Sequence, residues 1–243
     1  MADGGRRRAP YKGDTLPSYQ EQYEALEGWI KTVTPEGASV CDVGGGGHFI
    51  TFPQRLRPWA TRMVGVDPDP GVLERPWYDE AHQALAEDWA PVATERFDVV
   101  TAVYVLEHVE APADFLGAVH RLLVPGGSLF AVTPNLWHYF GLISAAAARL
   151  GLEERLLRWL RGGELVEQYH FPVRYRLNSL PTIARQAAAA GFTAVEFRCI
   201  EDPNMVVGYL PPWLQAAGRR YSAAVNRWGR PELFGTILVR LRA

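Results

Sequence analysis

The sequence predicts an α/β fold: a mostly parallel sheet with helices on both faces and a helical cap over one edge. Three observations carry this. Short apolar runs alternate with helical stretches between residues 39 and 133. Four glycines, 44–47, fall where the first apolar run gives way to the next helical stretch. The second apolar run ends in an acid, Asp67. Alternation at this spacing is what βαβ units produce, and right-handed crossovers then fix the hand of each unit.

Each element has its own signal. Tyr19, Tyr23, Leu26, Trp29 and Ile30 recur at helical spacing over 18–33, with Ser18 as N-cap. Pro35-Glu36-Gly37 marks a turn, and 39–43 reads as a buried strand. Residues 49–59 read as a helix with Pro53 near its start, 62–66 as the second strand, 71–78 as a short helix or turn, and 84–86 as a short edge strand. The Val-rich run 97–105 is the strongest strand. The helix 113–123 follows, with Phe115, Val119, Leu122 and Leu123 on one face. Pro125-Gly126-Gly127 is a turn before a strand at 128–133. After Thr133-Pro134-Asn135 the alternation stops: 137–150 and 153–161 read as helices, followed by the aromatic loop Tyr169-His170-Phe171-Pro172. Regular order returns with a helix at 179–190, ended by Gly191, and a strand at 193–200. A helix at 213–228 and a final strand at 234–241 complete the chain. The expected organisation is a flexible tail, 1–17, and a single domain, 18–243, with insertions at 136–177 and 202–230.

Composition narrows the function classes. The chain has 243 residues, 48% hydrophobic and 21% charged, enough for a globular core. A net charge of −2 provides no field to recruit nucleic acid, and Arg6, Arg7 and Arg8 read as a solvated tail. The longest uncharged, mostly apolar run, 137–148, is shorter than the ~20 residues of a bilayer span, and the N-terminus lacks the apolar core of a signal peptide. Cys41 and Cys199 lie inside apolar runs as small core residues, so a reducing, cytoplasmic location is expected. No Cys/His spacing suggests a metal.

The glycine turn, with Asp67 about 20 residues on, points to a nucleotide-type ligand. Glycines let the backbone approach a ligand closely, and an acid at the tip of the second strand is placed to accept two ribose hydroxyls. Asp88, followed by Trp89, comes after the short third strand, where a carboxylate and an aromatic would flank an adenine; a surface turn is the other reading of Asp88. Against a dinucleotide, position 49 is Phe where the third glycine of G-x-G-x-x-G would stand. Asp42, just before the glycines, would repel a pyrophosphate and favour a cationic ligand end, provided its carboxylate faces the site.

Asp42-Val43-Gly44-x-Gly46, Asp67, Asp88, the run Phe97-Asp98-Val99-Val100 leading to Val105-Leu106-Glu107-His108-Val109, Leu122-Leu123-x-Pro125-Gly126-Gly127-x-Leu129, Thr133-Pro134-Asn135 and Ala190-Gly191-Phe192 together resemble class I S-adenosylmethionine-dependent methyltransferases, nearest the branch with small-molecule and quinone-type enzymes. The resemblance covers roughly residues 38–200. It implies a Rossmann-like seven-stranded sheet of order 3-2-1-4-5-7-6 with one reversed strand, and S-adenosylmethionine as cofactor. Carried over, Asp42, Gly44 and Gly46 line the methionine end, Asp67 holds the ribose, Asp88 and Trp89 flank the adenine, and Tyr104 faces the cofactor. The sequence departs from the family pattern at His48, where a third glycine is usual. Alternatively a one-residue deletion makes Gly47 that glycine, and His48 then either favours the cofactor carboxylate or caps the next helix.

For the chemistry, His108, just after the fourth strand, is a candidate general base, with loop packing as its other reading; Glu107 is read as structural. The 136–177 insertion leaves the sheet beside the expected methyl group. Tyr139, Phe140, Leu142 and Ile143 give it an apolar face, and His138, Tyr169, His170, Arg174 and Tyr175 add polar and aromatic groups. Such a lid suits a small aromatic or amphipathic acceptor, with Tyr139 and His170 as further catalytic candidates. Two other functions compete: the same fold running a different reaction such as a cyclisation, and a non-catalytic binding module. A nicotinamide dehydrogenase is disfavoured by Asp42 and Phe49.

Overall fold

The computed structural model describes residues 12–15, 19–47, 51–152, 155, 172–203, 207 and 210–243. Its centre is an eight-stranded sheet. The strands are β1 (Lys12–Thr15), β2 (Ser39–Val43), β3 (Arg62–Asp67), β4 (Glu80–Gln83), β5 (Phe97–Val103), β6 (Leu123–Pro134), β7 (Ala194–Glu201) and β8 (Thr236–Arg242). They lie in the order β1-β7-β8-β6-β5-β2-β3-β4. Without β1 this is the expected seven-stranded order, 3-2-1-4-5-7-6. β8 runs antiparallel to both neighbours, and the other pairings are parallel.

Side-chain parity along each strand divides the core in two, as the two-residue period of a strand requires. Cys41, Val64, Val66, Val100, Ala102, Leu129, Ala131, Ile237 and Val239 face one side. There they meet the helices α3 (Ala86–Trp89), α4 (Pro112–Leu122) and α6 (Leu180–Ala189) through residues such as Phe115, Val119, Leu180 and Ile183. Val40, Met63, Val99, Val103, Phe130, Val132 and Leu238 face the other side, against α1 (Tyr19–Val33) and α2 (Phe52–Leu56). On that face Arg198 lies 4.3 Å over the Trp29 ring, so part of the helix contact is cation–π. The cap helices are α5 (Tyr139–Arg149) and α7 (Pro212–Arg227). No described helix is long and apolar enough to cross a membrane.

Several expectations are corrected. Part of the expected tail, Lys12–Thr15, is a strand: it pairs with β7 from Lys12 opposite Arg198 to Thr15 opposite Glu201. A sheet edge offers unpaired backbone groups that any extended segment can satisfy, so side-chain composition did not reveal it. The third strand is Glu80–Gln83, not 84–86, and Ala86–Trp89 is helical. Pairing with β3, Val64 opposite Glu80 to Asp67 opposite Gln83, fixes an edge strand whose polar sequence has no apolar alternation. The 49–59 helix shortens to Phe52–Leu56, with Pro53 in its first turn where a missing N–H costs nothing. The Pro125-Gly126-Gly127 turn lies within β6, where the register to β5 shifts between Phe97 and Val99. The expected 153–161 helix falls outside the described residues apart from position 155.

Candidate active site

The carboxyl ends of β2, β3, β4, β5, β6 and β7 share one sheet edge, and the sequence candidates collect there. Between β2 and β5 the strand order reverses, the position where α/β sheets open a crevice. Gly44 leaves β2 with φ 92°, a left-handed conformation that favours glycine, and its N–H donates to the Val66 carbonyl at 2.9 Å. A Cβ on Gly45 would stand 1.8 Å from the Tyr78 hydroxyl and 2.3 Å from Asp42 Oδ2. One on Gly46 would stand 2.9 Å from Asp67 Cγ and from Asp69 Cβ. The glycine run therefore admits the protein's own side chains beneath the turn.

Asp67 is buried at the tip of β3 and clasps that turn. Its Oδ2 accepts from the Gly46 N–H at 2.9 Å and its Oδ1 from the Asp69 N–H at 2.6 Å. Each carboxylate oxygen keeps a further lone pair for an outside donor. Burial pushes this carboxyl above its ordinary range, against the two amide bonds. Arg75 adds a strap, its Nη2 donating to the Gly46 carbonyl at 2.6 Å.

Asp42 departs from the expectation of a carboxylate open to the ligand. It is 1% exposed. Its Oδ1 accepts from Thr101 Oγ1 at 2.5 Å and its Oδ2 from the Tyr78 hydroxyl at 2.6 Å. Burial pushes its pKa up to about 7, with the two hydrogen bonds opposing and the Asp67 charge adding to the rise. The carboxylate supports the turn from the α1/α2 side of the sheet, and near neutrality it is only partly charged.

The two adenine candidates are placed differently from one another. Trp89 is buried in the core, its ring stacked on His82 at 4.7 Å and adjoining Phe97 at 6.3 Å. Helix α3 turns it inward together with Ala86. Asp88 is exposed in the first turn of that helix. Leu73 and Leu85, 56% and 49% exposed, follow β3 and β4 at the same edge and were not singled out from the sequence. A large apolar residue exposed just beyond a strand tip is the signal that would have found them. Tyr104 follows β5 at φ 56°, and its hydroxyl donates to Gln22 Oε1 of α1 at 3.1 Å. His48 lies outside the described residues.

On the acceptor side, Glu107 and His108 follow β5 and the segment 172–175 lies over them. The Glu107 carbonyl accepts from the N–H groups of Arg174 (2.6 Å) and Tyr175 (3.1 Å). His108 Nδ1 is 3.2 Å from the Pro172 carbonyl. A carbonyl only accepts, so that contact puts the proton on Nδ1 and the basic lone pair on Nε2. Burial lowers the His108 pKa and keeps the ring neutral. Glu107 is buried, accepts from Thr133 Oγ1 at 3.1 Å, and is pushed up to about 7 by burial. Asn178 Nδ2 donates to the same Thr133 oxygen, while the buried Asn178 Oδ1 has no partner among the described residues.

Tyr139 packs elsewhere in the cap. Its ring lies 4.2 Å from His138 and 4.8 Å from Tyr221 of α7. Burial pushes its hydroxyl up to about 12, so it stays protonated at neutral pH. Behind it Glu201, buried at the end of β7, accepts from Ser222 Oγ and from the Gly235 N–H at 2.8 Å. His170 and Tyr169 lie outside the described residues. Among the described residues no three His, Cys, Asp or Glu side chains gather as metal ligands.

Comparison with known proteins places this geometry. A sequence profile described as "Methyltransferase domain" matches residues 19–196. The chain is 34% identical over 170 residues to the ubiquinone biosynthesis O-methyltransferase of Azorhizobium caulinodans, covering 66% of this chain and 61% of that protein. It is 36% identical over 107 residues to the enzyme of the same name from Pseudomonas syringae pv. tomato, covering 41% of this chain and 45% of that one. The match thus spans about half to three-fifths of these curated relatives. A crystal structure of a SAM-dependent methyltransferase from Archaeoglobus fulgidus superimposes with a TM-score of 0.60 at 14% identity, covering 93% of this chain and 95% of that one, which supports the fold. Glycine turn, strand-tip acid, strand order and profile agree: the chain belongs to the methyltransferase domain family, among the class I S-adenosylmethionine-dependent methyltransferases.

Proposed function

We propose that the protein transfers a methyl group from S-adenosylmethionine to a small aromatic or amphipathic molecule of quinone or phenol type, with oxygen as the accepting atom. The observation that carries the cofactor half is Asp67: backbone amides preset both of its oxygens at the strand tip, leaving lone pairs for a ribose diol. Leu73 and Leu85 give the adenine an apolar seat, in place of Trp89. The acceptor class rests on the relatives named ubiquinone biosynthesis O-methyltransferase and on the aromatic cap. Residues 12–243 are read as one cofactor-binding domain carrying that cap, with β1 part of its sheet. The two free, buried cysteines fit the reducing cytoplasm.

When bound, the cofactor supplies an activated methyl group, so the chain's work is orientation, exclusion of water and handling of one proton. Neutral His108, with its lone pair on Nε2, takes the proton that the acceptor hydroxyl gives up as its oxygen bonds carbon. The Pro172 carbonyl holds the ring in that tautomer. The cap excludes water from the acceptor. Transfer to a panel of phenols and hydroquinones, followed by formation of S-adenosylhomocysteine, tests the reading. His108→Ala should slow turnover by roughly 10²–10⁴-fold, the usual worth of a general base, with cofactor affinity kept. Unchanged turnover would remove His108 from the mechanism. No transfer to any member of the panel would overturn the acceptor class.

A further inference from the structure

Tyr78 has no place in the motifs of the sequence, yet three parts of the cofactor edge are shaped around it. It stands just before β4 with its ring over β3, where a Cβ on Gly65 would come within 2.4–2.9 Å of ring atoms. Gly65 carries no positive φ, so its backbone conformation does not call for glycine and the ring does. Its hydroxyl reaches under the turn into the space a Gly45 side chain would fill, and donates to Asp42 Oδ2 at 2.6 Å. Thr101 of β5 donates to the other oxygen. Asp42 is therefore held from two sides, directly below the backbone over which the methionine end of the cofactor would lie.

We propose that Tyr78 is a positioning residue for cofactor binding: its hydroxyl fixes the Asp42 carboxylate beneath Gly45 and holds it in the charged form that attracts the cationic end of S-adenosylmethionine. The proposal rests on the cofactor assignment. Its physical core is a balance. Desolvation favours the neutral acid, and the hydrogen bonds from Tyr78 and Thr101 favour the anion. The charged group that bears on Asp42 from β3 is Asp67, which disfavours ionisation, and Asp67 is itself moderated by Arg75. Burial and the neighbouring Asp42 charge push the Tyr78 phenol upward, so it remains a donor across the neutral range. Removing one donor tips the balance toward the neutral acid, and raising the pH restores the anion.

The test is calorimetric binding of S-adenosylmethionine to the full chain between pH 6 and 9, for wild type, Tyr78→Phe and Asp42→Asn. Affinities are taken as ratios to wild type, so titration of the ligand cancels. Phenylalanine keeps the ring against Gly65 and loses only the hydroxyl. A hydrogen bond to a charged group is worth about 1.5–3 kcal/mol, or one to two pKa units. Tyr78→Phe should therefore bind about ten-fold more weakly at pH 7 and approach wild type at pH 9, while Asp42→Asn should bind without the wild-type pH dependence. A Tyr78→Phe deficit that is equal at every pH, or no deficit, overturns the proposal; melting temperatures at each pH show whether the variants are folded. If wild type binds no S-adenosylmethionine at any pH, the cofactor assignment itself fails, an outcome separate from a missing shift.

Discussion

The two halves of the functional edge are built differently. On the cofactor side, one continuous stretch from β2 to β4 supplies nearly every group, and the turn is clasped by Asp67, Arg75 and Tyr78 through bonds of 2.6–2.9 Å. On the acceptor side, Glu107, Thr133, Asn178, His138, Glu201 and Ser222 come from separate strands and helices. Two of them, Glu107 and His138, are pushed to about 7 and about 4 by burial, and Asn178 Oδ1 has no partner among the described residues. Displaced pKa values and an unpartnered buried atom occur on both sides, Asp42, Asp67 and Arg75 Nε on the cofactor side among them, so the difference is one of assembly. A site for one invariant cofactor is preset by one local run of chain, whereas the acceptor side is built from groups brought together over long sequence separations.

For cofactor affinity the largest expected effect lies in the clasp. Asp67→Ala removes the proposed ribose contact and leaves two amides without an acceptor, so affinity for S-adenosylhomocysteine should fall by about 1.5–3 kcal/mol, roughly 10- to 150-fold. Titration calorimetry at pH 7.5 reads this directly, and unchanged affinity would move the ribose elsewhere. Next comes the packing beneath the turn. Gly45→Ala puts a methyl on the Tyr78 hydroxyl and should cost about 1–3 kcal/mol of stability, measured by denaturant unfolding; a wild-type midpoint would mean the turn has slack.

On the acceptor side the comparison is sharpened by pH. Glu107 ordinarily titrates near 4.5 and is raised to about 7 in the fold. The folded state therefore holds a proton that the unfolded state releases between those values. The associated stability is full below about 4.5 and is lost as pH rises through 7. Glu107→Gln removes that titration. Its stability relative to wild type should climb between pH 5 and pH 8, by about 3 kcal/mol at most. A pH-independent difference would show that the carboxyl is ionised in the fold at little cost. The smallest effects are expected away from both sites. At Gly28 in α1 and Gly117 in α4 a Cβ would meet open space, with no atom within 4 Å, so alanine at either should raise stability by about 0.5–1 kcal/mol. Thermal or denaturant midpoints check this, and a loss of stability at either position would point to a packing role for the glycine.

The same contrast explains what was legible in the sequence. The strand order came from the family resemblance, and the position of Asp67 at its strand tip could be read because glycine turn, strand and acid lie within one short run. Asp42 was legible as a position and misread as an exposed charge, because its partners Tyr78 and Thr101 are 36 and 59 residues away. Trp89 was misread because its inward turn depends on α3, four residues that periodicity placed partly in a strand. Asn178 with Thr133 and Glu201 with Gly235 are 45 and 34 residues apart, and no local pattern announces such pairs. β1 was invisible for the opposite reason: ladder pairing uses backbone alone.

The reversed strand β8 has a consequence for how the chain is made. It lies between β6 and β7 and hydrogen-bonds both, so β7, and β1 on its far side, join the sheet only through residues 236–242. During synthesis the ribosome delivers β1 before every other strand of the sheet and β8, which secures its partner, after all of them. Until then the β2–β6 part of the sheet must wait with one flank unzipped, and that interval is when a chaperone would have most to protect.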